Sequence, residues 1–266
     1  MTRYKEKKTK LEPVTEGFRA EEGLPVIPIK MEVEDAASAS AHAHPRGQLI
    51  YASHGVVRVI TPMGTWLVPP TQAIWIPPNL EHDVIFPGKV TLYSLFMSED
   101  SCKYFPKSCA GLKVTALMRE MIVRACDWGD QYKLGDPGYR FMQVLIHEIS
   151  LSEPTLIDLP SAQDPRLVRV TDAMAQHPIA KPNQSELAAL ACVSPRTLSR
   201  LFLNETGMTI GEWNRRLLVH QAIDHLTKGK TVTAVALSLG YGNPTSFVAM
   251  FRSVMGVSPK KYMSAR

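Results

Sequence analysis

The sequence predicts an α+β chain of two domains: a small N-terminal β-barrel with flanking helices, then an all-α domain in which a linker helix joins two helix-turn-helix motifs. Three observations predict it. Short strand-like runs separated by turn residues crowd into residues 24–97. One pattern of two short amphipathic helices recurs 49 positions later near the C-terminus. Charge also divides near Asp164: from there onward the chain holds 13 Lys and Arg against 6 Asp and Glu, net +7, whereas residues 1–163 hold 17 against 19, net −2. A length of 266 residues suits about two domains, and 45% hydrophobic content lets each bury a core.

In chain order, residues 1–22 are polar, with Lys5, Lys7, Lys8 and Lys10 close together, and read as a disordered basic tail. Strand-like runs follow at Val26 to Met31, Gln48 to Ser53, Val56 to Thr61, Thr65 to Val68, Ala73 to Ile76, His82 to Phe86 and Val90 to Met97. His54-Gly55, Met63-Gly64, Pro69-Pro70, Pro77-Pro78-Asn79 and Pro87-Gly88 supply the turns between them. Residues 23–100 therefore read as a sandwich or small barrel. Within residues 101–153, Leu117, Met118, Met121, Ile122 and Ala125 recur at helical spacing, as do Phe141, Met142, Leu145, Ile146 and Ile149. Such stripes fit packing on the barrel or on a second subunit. Residues 154–163, rich in Pro and turn formers, read as a linker that permits relative domain motion.

Residues 164–266 carry the two motifs, at about 185–206 and 232–255. In the first, Leu187, Leu190 and Ala191 share one face, as do Leu198, Leu201 and Phe202, and Ser194-Pro195 between them is a cap followed by a first-turn proline. That leaves Arg196, Thr197, Ser199, Arg200 and Asn204 on the outer face of the second helix, where they reach base edges and phosphates of a DNA duplex. In the repeat, Ser246 aligns with Thr197, Phe251 with Phe202, Gly256 with Gly207, Asn243-Pro244 with Ser194-Pro195, and Ala236 and Leu239 with Leu187 and Leu190. Between the copies, Thr209 and Glu212 have capping-box spacing, and Ile210, Trp213, Leu217 and Leu226 share one side of a helix ending near Lys228-Gly229. Held rigidly about 34 Å apart, two recognition helices enter successive major grooves. Localised positive charge is what phosphate binding requires, and lysines of the tail would add weak, salt-sensitive contact.

Gly207-Met208-Thr209, Ala236 to Tyr241 and Phe251 to Pro259 resemble the DNA-binding domain of the AraC/XylS family of bacterial transcription regulators, over roughly residues 164–263. The resemblance implies promoter DNA as partner, a homodimer, RNA polymerase as a further partner, and a barrel that senses a small molecule or mediates dimerisation. Gln48 to Ser53 and Ile74 to Pro78 are similar to the branch that includes regulators of drug-efflux transporters. The two recognition helices are not equivalent. Arg196, Ser199 and Arg200 correspond to Thr245, Val248 and Ala249, so the first motif is expected to dominate base reading, with Asn243, Thr245 and Ser246 contributing from the second. Arg252, Lys260 and Lys261, with Lys228 and Lys230, are expected on phosphates.

A second constellation lies in the barrel. His42 and His44, two apart on an extended segment, point to one side; Gln48 and a distant His82 follow. The spacing resembles the cupin motifs, which surround a metal inside a β-barrel, with two departures: Gln48 stands where that family has Glu, and Asn79 where Gly is usual. Asn tolerates positive φ, so the turn survives. Losing the carboxylate weakens the set, yet three imidazoles suffice in some zinc sites, and Zn, Ni, Fe or Mn fit such donors. The alternative is a metal-free pocket in which His42, His44, Gln48 and His82, with Tyr51, Trp66 and Trp75, bind an organic effector; either aromatic Tyr51 or Trp75 taken singly reads as core. His54 and His147 read as ordinary side chains. Cys102, Cys109, Cys126 and Cys192 lack metal or disulfide spacing and read as free thiols, mostly buried.

No apolar run reaches membrane-span length and no signal peptide is visible, so a cytoplasmic location is expected. The expected function is that of a regulator, not an enzyme. A cupin enzyme fused to a DNA-binding unit, and a DNA-tethered scaffold without a ligand, are the competing readings.

Overall fold

A computed structural model describes residues 9–19, 24–155 and 158–264. They form two compact units, one built mainly on Lys8–Pro62 and Trp66–Leu156 and the other on Ile157–Arg266.

The first unit contains strands β1 (Thr9–Leu11), β2 (Val26–Val33), β3 (Ala37–His42), β4 (Gly47–His54), β5 (Val57–Thr61), β6 (Gly64–Val68), β7 (Gln72–Ile76), β8 (His82–Phe86) and β9 (Val90–Met97). A short helix α1 (Glu99–Cys102), strand β10 (Ala110–Lys113), helices α2 (Ala116–Trp128) and α3 (Pro137–Ser150), and strand β11 (Pro154–Thr155) complete it. One sheet runs β1-β3-β8-β5-β6 and the other β11-β10-β7-β4-β9-β2. Strand alternation divides the apolar residues between two cores. Ile50, Ala52, Val59, Trp66, Ile74, Ile76, Val84 and Phe86 fill the space between the sheets. Leu49, Tyr51, Trp75, Tyr93 and Leu95 face the opposite way and are buried under Met118, Ile122, Met142, Leu145 and Ile149 of α2 and α3. The helical stripes therefore pack on the barrel, except for Leu117, which is exposed.

Three expectations change. Residues 9–19, expected within a disordered tail, are ordered: β1 pairs in parallel with β3, Leu11 joins the inner core, and a 3-10 turn spans Thr15–Phe18. Lys5, Lys7 and Lys8 lie outside the described residues. The segment 101–153 is not wholly helical, because β10 extends a sheet by pairing with β7. Within the expected linker, Asp158–Pro160 forms a strand, β12, tied to the helical unit: Arg216 binds Asp158 at 2.7 Å and Trp213 Nε1 donates to the Pro160 carbonyl at 3.0 Å.

The second unit is helical: α4 (Pro165–Gln176), α5 (Gln184–Leu190), α6 (Pro195–Thr206), α7 (Ile210–Thr227), α8 (Val232–Ser238), α9 (Pro244–Met255) and α10 (Pro259–Ser264). The sequence expectation of one buried side for α7 is too narrow. Ile210, Trp213 and Leu217 enter the first motif's core, and Leu218, Val219, Ala222, Ile223 and Leu226 are buried as well, since α7 also packs on α8 and α9. A helix buried on more than one face serves both motifs as a common core. Its start is fixed by the Thr209–Glu212 capping box.

Candidate functional site

Two arrangements carry chemistry, one in each unit. In the helical unit, α6 begins where the Ser194 hydroxyl accepts from the Thr197 N–H at 3.2 Å and ends at Gly207 in a left-handed conformation. Leu198 and Phe202 are wholly buried, which turns Arg196, Ser199, Arg200 and Asn204 to solvent. Neither Arg196 nor Arg200 pairs with a carboxylate among the described residues, so both guanidinium forks are available to a ligand. Thr197 departs from expectation: it is half-buried, with its hydroxyl 2.9 Å from that of Ser194, and belongs to the cap more than to the outer face.

Helix α9 is built alike. Asn243 Oδ1 accepts from the Ser246 N–H at 2.9 Å, and Gly256 ends the helix in a left-handed conformation. Asn243, Thr245, Ser246, Ala249 and Arg252 are exposed, although the oxygen of Asn243 is committed to capping; Val248 is half-buried. Lys260 and Lys261 stand exposed on α10, and Lys228 and Lys230 just after α7.

The first helices of the motifs, however, align differently than the sequence repeat suggests. α5 and α8 are offset by 48 residues, α6 and α9 by 49, because four residues, 191–194, separate the first pair and five, 239–243, the second. Leu187, Ala188 and Ala191 thus correspond to Val235, Ala236 and Leu239, all buried, while Leu190, aligned with Leu239 on sequence, is 45% exposed. Constant-offset alignment misses this because both motifs are rich in Ala and Leu. Cys192, expected to be packed, is exposed at φ +54°, the turn position that Gly240 fills in the second motif at φ +77°.

In the barrel, His42 ends β3, His82 begins β8 directly opposite it, His44 follows β3, and Gln48 lies on β4. The turn at Asn79 takes φ +60°, and its N–H holds the His44 carbonyl at 2.9 Å. One ring nitrogen from each of His42, His44 and His82 lies within 4.8 Å of the others. Each Nδ1 faces a backbone carbonyl: His42 that of Ser40 at 2.7 Å, His44 that of Arg46 at 2.6 Å, His82 that of Leu80 at 2.8 Å. A carbonyl only accepts, so each Nδ1 carries the proton and each uncharged ring is left with an Nε2 lone pair. Burial holds His82 down to about 4 and lowers His44 as well, so both are neutral near pH 7. Gln48 Oε1 stands 3.1 Å from His44 Nε2 and 3.2 Å from His82 Nε2, while its Nε2 donates to Ser94 Oγ at 2.8 Å.

Acceptor therefore faces acceptor at Gln48 Oε1 and the Nε2 atoms of His44 and His82. This donor set fits a divalent transition ion: the outer nitrogens are already committed to the backbone, as in metal-ligating histidines generally. Two donors about 2.1 Å from one ion stand at most about 4.2 Å apart, so the rings close slightly around it.

Sequence reasoning missed three parts of this site. Ser94, fully buried in a strand of large apolar residues, orients Gln48; a lone Ser between Tyr93 and Leu95 was its signal. Gly17 lies so close over His44 that a Cβ there would meet the ring at 2.7 Å, and Phe18 contacts the same ring edge-on. Arg46, also buried, ties the site's loop to the carbonyls of Arg19, Leu24 and Phe96. Two expected pocket residues are excluded. Tyr51 and Trp75 lie on the outer face of their sheet, where Trp75 stacks on Phe105 and donates to the Pro106 carbonyl. Tyr51 lies three positions after Gln48, an odd offset, which puts the two on opposite faces of the strand. Trp66 does lie in the inner core.

The C-terminal residues 187–265 match the family described as a helix-turn-helix domain, and residues 33–125 match the AraC-like ligand binding domain. Among relatives, the HTH-type transcriptional regulator NimR of Escherichia coli (strain K12) is 32% identical over 230 residues, covering 86% of this chain and 84% of that protein. The HTH-type transcriptional regulator RipA of Corynebacterium diphtheriae is 30% identical over 108 residues, 40% of this chain and 32% of that protein. Of solved structures, ToxT from Vibrio cholerae is 9% identical with a TM-score of 0.39, covering 91% of this chain and 98% of that one.

Proposed function

This chain belongs to the AraC family of helix-turn-helix transcriptional regulators, with an AraC-like ligand-binding domain at its N-terminal side, and on that premise we propose that it is a metal-responsive one. A late first-row divalent ion, zinc foremost, is held by Nε2 of His42, His44 and His82 and by Oε1 of Gln48. The observation that carries this reading is the convergence of those four acceptors with every histidine Nδ1 already committed to a carbonyl. Without an ion, the Gln48 amide can turn to give its two N–H groups to His44 and His82; with one, it presents its oxygen.

The helical unit binds promoter DNA, and α6 reads bases while Lys260, Lys261 and Arg252 hold phosphates. The protein works as a homodimer in the cytoplasm, acts on RNA polymerase, and uses its barrel as a sensor without catalysis. Among the described residues no helix is long and apolar enough to cross a membrane.

Elemental analysis of the purified chain beside a His42→Ala, His44→Ala, His82→Ala variant tests the metal, after chelation and reloading with Zn, Ni, Fe or Mn. About one ion per parent chain and none in the variant is expected. Operator footprinting with and without the ion then tests control. A parent that takes up no ion returns the barrel to an organic effector; an ion that leaves DNA occupancy unchanged removes it from regulation.

A further inference from the structure

We propose that the loaded centre takes a small monoanion, a carboxylate or a linear anion such as azide, as a further ligand from the cavity beside Gln48; this rests on the metal reading above. Every donor the chain offers an ion here is neutral once it coordinates: three imidazole nitrogens and an amide oxygen. A dication seated there would keep both its charges among side chains that are buried apart from half-buried His42, with Gln48 4% and His82 1% exposed. Uncompensated charge in such surroundings is strongly disfavoured and draws in a counter-ion.

No carboxylate of the described residues belongs to the cluster. Asp83 is next to His82 but alternates to the other face of β8, Glu81 is exposed, and Glu12 is an exposed residue lining the cavity from the N-terminal segment. None of the three belongs to the cluster, so the counter-ion is taken from solution in competition with Glu12 on the cavity wall.

A cavity of about 40 Å³ is lined by His42, Gln48, Ser94 and Glu12 together with apolar side chains such as Ile50 and Val84. A single water needs only about 10–15 Å³ of such space, so the cavity admits a group of a few atoms. A carboxylate head or azide suits that space once the rings close on the ion. Sulfate and phosphate, larger and more strongly hydrated, are disfavoured by the apolar wall.

The test uses the full-length chain loaded with Co²⁺, whose visible absorption reports its ligands, titrated with azide, acetate and sulfate. Expected are saturable spectral changes with azide and acetate, one anion per cobalt, and none with sulfate. Gln48→Glu supplies the missing negative charge from within and is expected to weaken anion binding at least about tenfold while still taking up Co²⁺. If that variant does not fold, the parent titration decides alone. Failure to take up Co²⁺ sinks the metal reading and this proposal with it. Uptake followed by a spectrum indifferent to azide and acetate overturns this proposal only. A response that appears only in Glu12→Gln also overturns it, since the chain would then complete the shell with its own carboxylate.

Discussion

The two helix-turn-helix motifs are made of the same parts and differ in two places: the length of the turn and the outward face of the second helix. Caps, first-turn prolines, left-handed glycines and buried aromatics recur, from Ser194, Pro195, Phe202 and Gly207 to Asn243, Pro244, Phe251 and Gly256. These are the residues that burial and backbone hydrogen bonding constrain. The outward face is under no such constraint, and there Arg196 and Arg200 give way to Thr245 and Ala249. Fold-bearing positions repeat because both motifs lean on one helix, α7; outward positions, which that packing does not constrain, diverge.

The largest expected effects probe that common core. Phe202→Ala and Phe251→Ala, each emptying a wholly buried site, are expected to cost about 3–5 kcal/mol of stability. In either variant α4–α10 should unfold in a single transition by calorimetry, because α7 contributes to both halves. A half that melts alone would break the comparison at its root.

Next comes readout. Arg200→Ala is expected to cost about 1–3 kcal/mol at preferred sites and to relax one or two base positions, measured by binding-site selection. Thr245→Ala should do markedly less. Equal changes in preference would mean that the motifs read DNA alike.

Smaller effects lie in the turns. Gly240→Ala forces a Cβ into the left-handed region and should destabilise by about 1 kcal/mol, whereas Cys192→Gly relieves the same strain and should stabilise by about 0.5–1 kcal/mol. Opposite signs in chemical denaturation sharpen the comparison; like signs refute it. Smallest in sequence preference is Lys260→Ala, expected to weaken all sequences alike and to lower the salt slope of binding by about 1.

What could be read from the sequence follows the same division. Periods of two and 3.6 residues report burial, so the seven strand-like runs between Val26 and Met97 and the helices of both motifs were visible without coordinates. His42, His44, Gln48 and His82 were visible as a constellation because residue type and spacing survive in one dimension. Tyr51 and Trp75 were misplaced by attending to residue type and not parity. Contacts across long separations left no local trace: Gly17 over His44, β10 beside β7, and Asp158 against Arg216 follow from chain closure alone. Thr197 was assigned outward by helix periodicity, which says nothing of a hydroxyl drawn into a cap.

The extra residue in the second turn also sets a rule for transplanting pieces between the motifs. A graft of α8 onto α5 is in register at an offset of 48, and one of α9 onto α6 at 49. A block copied across the turn at one constant offset slides one of its helices by a residue, rotating that helix by about 100°. Its apolar stripe would then face water. Chimeric regulators built from this chain should be cut within the turn, between 191 and 194 or between 239 and 243.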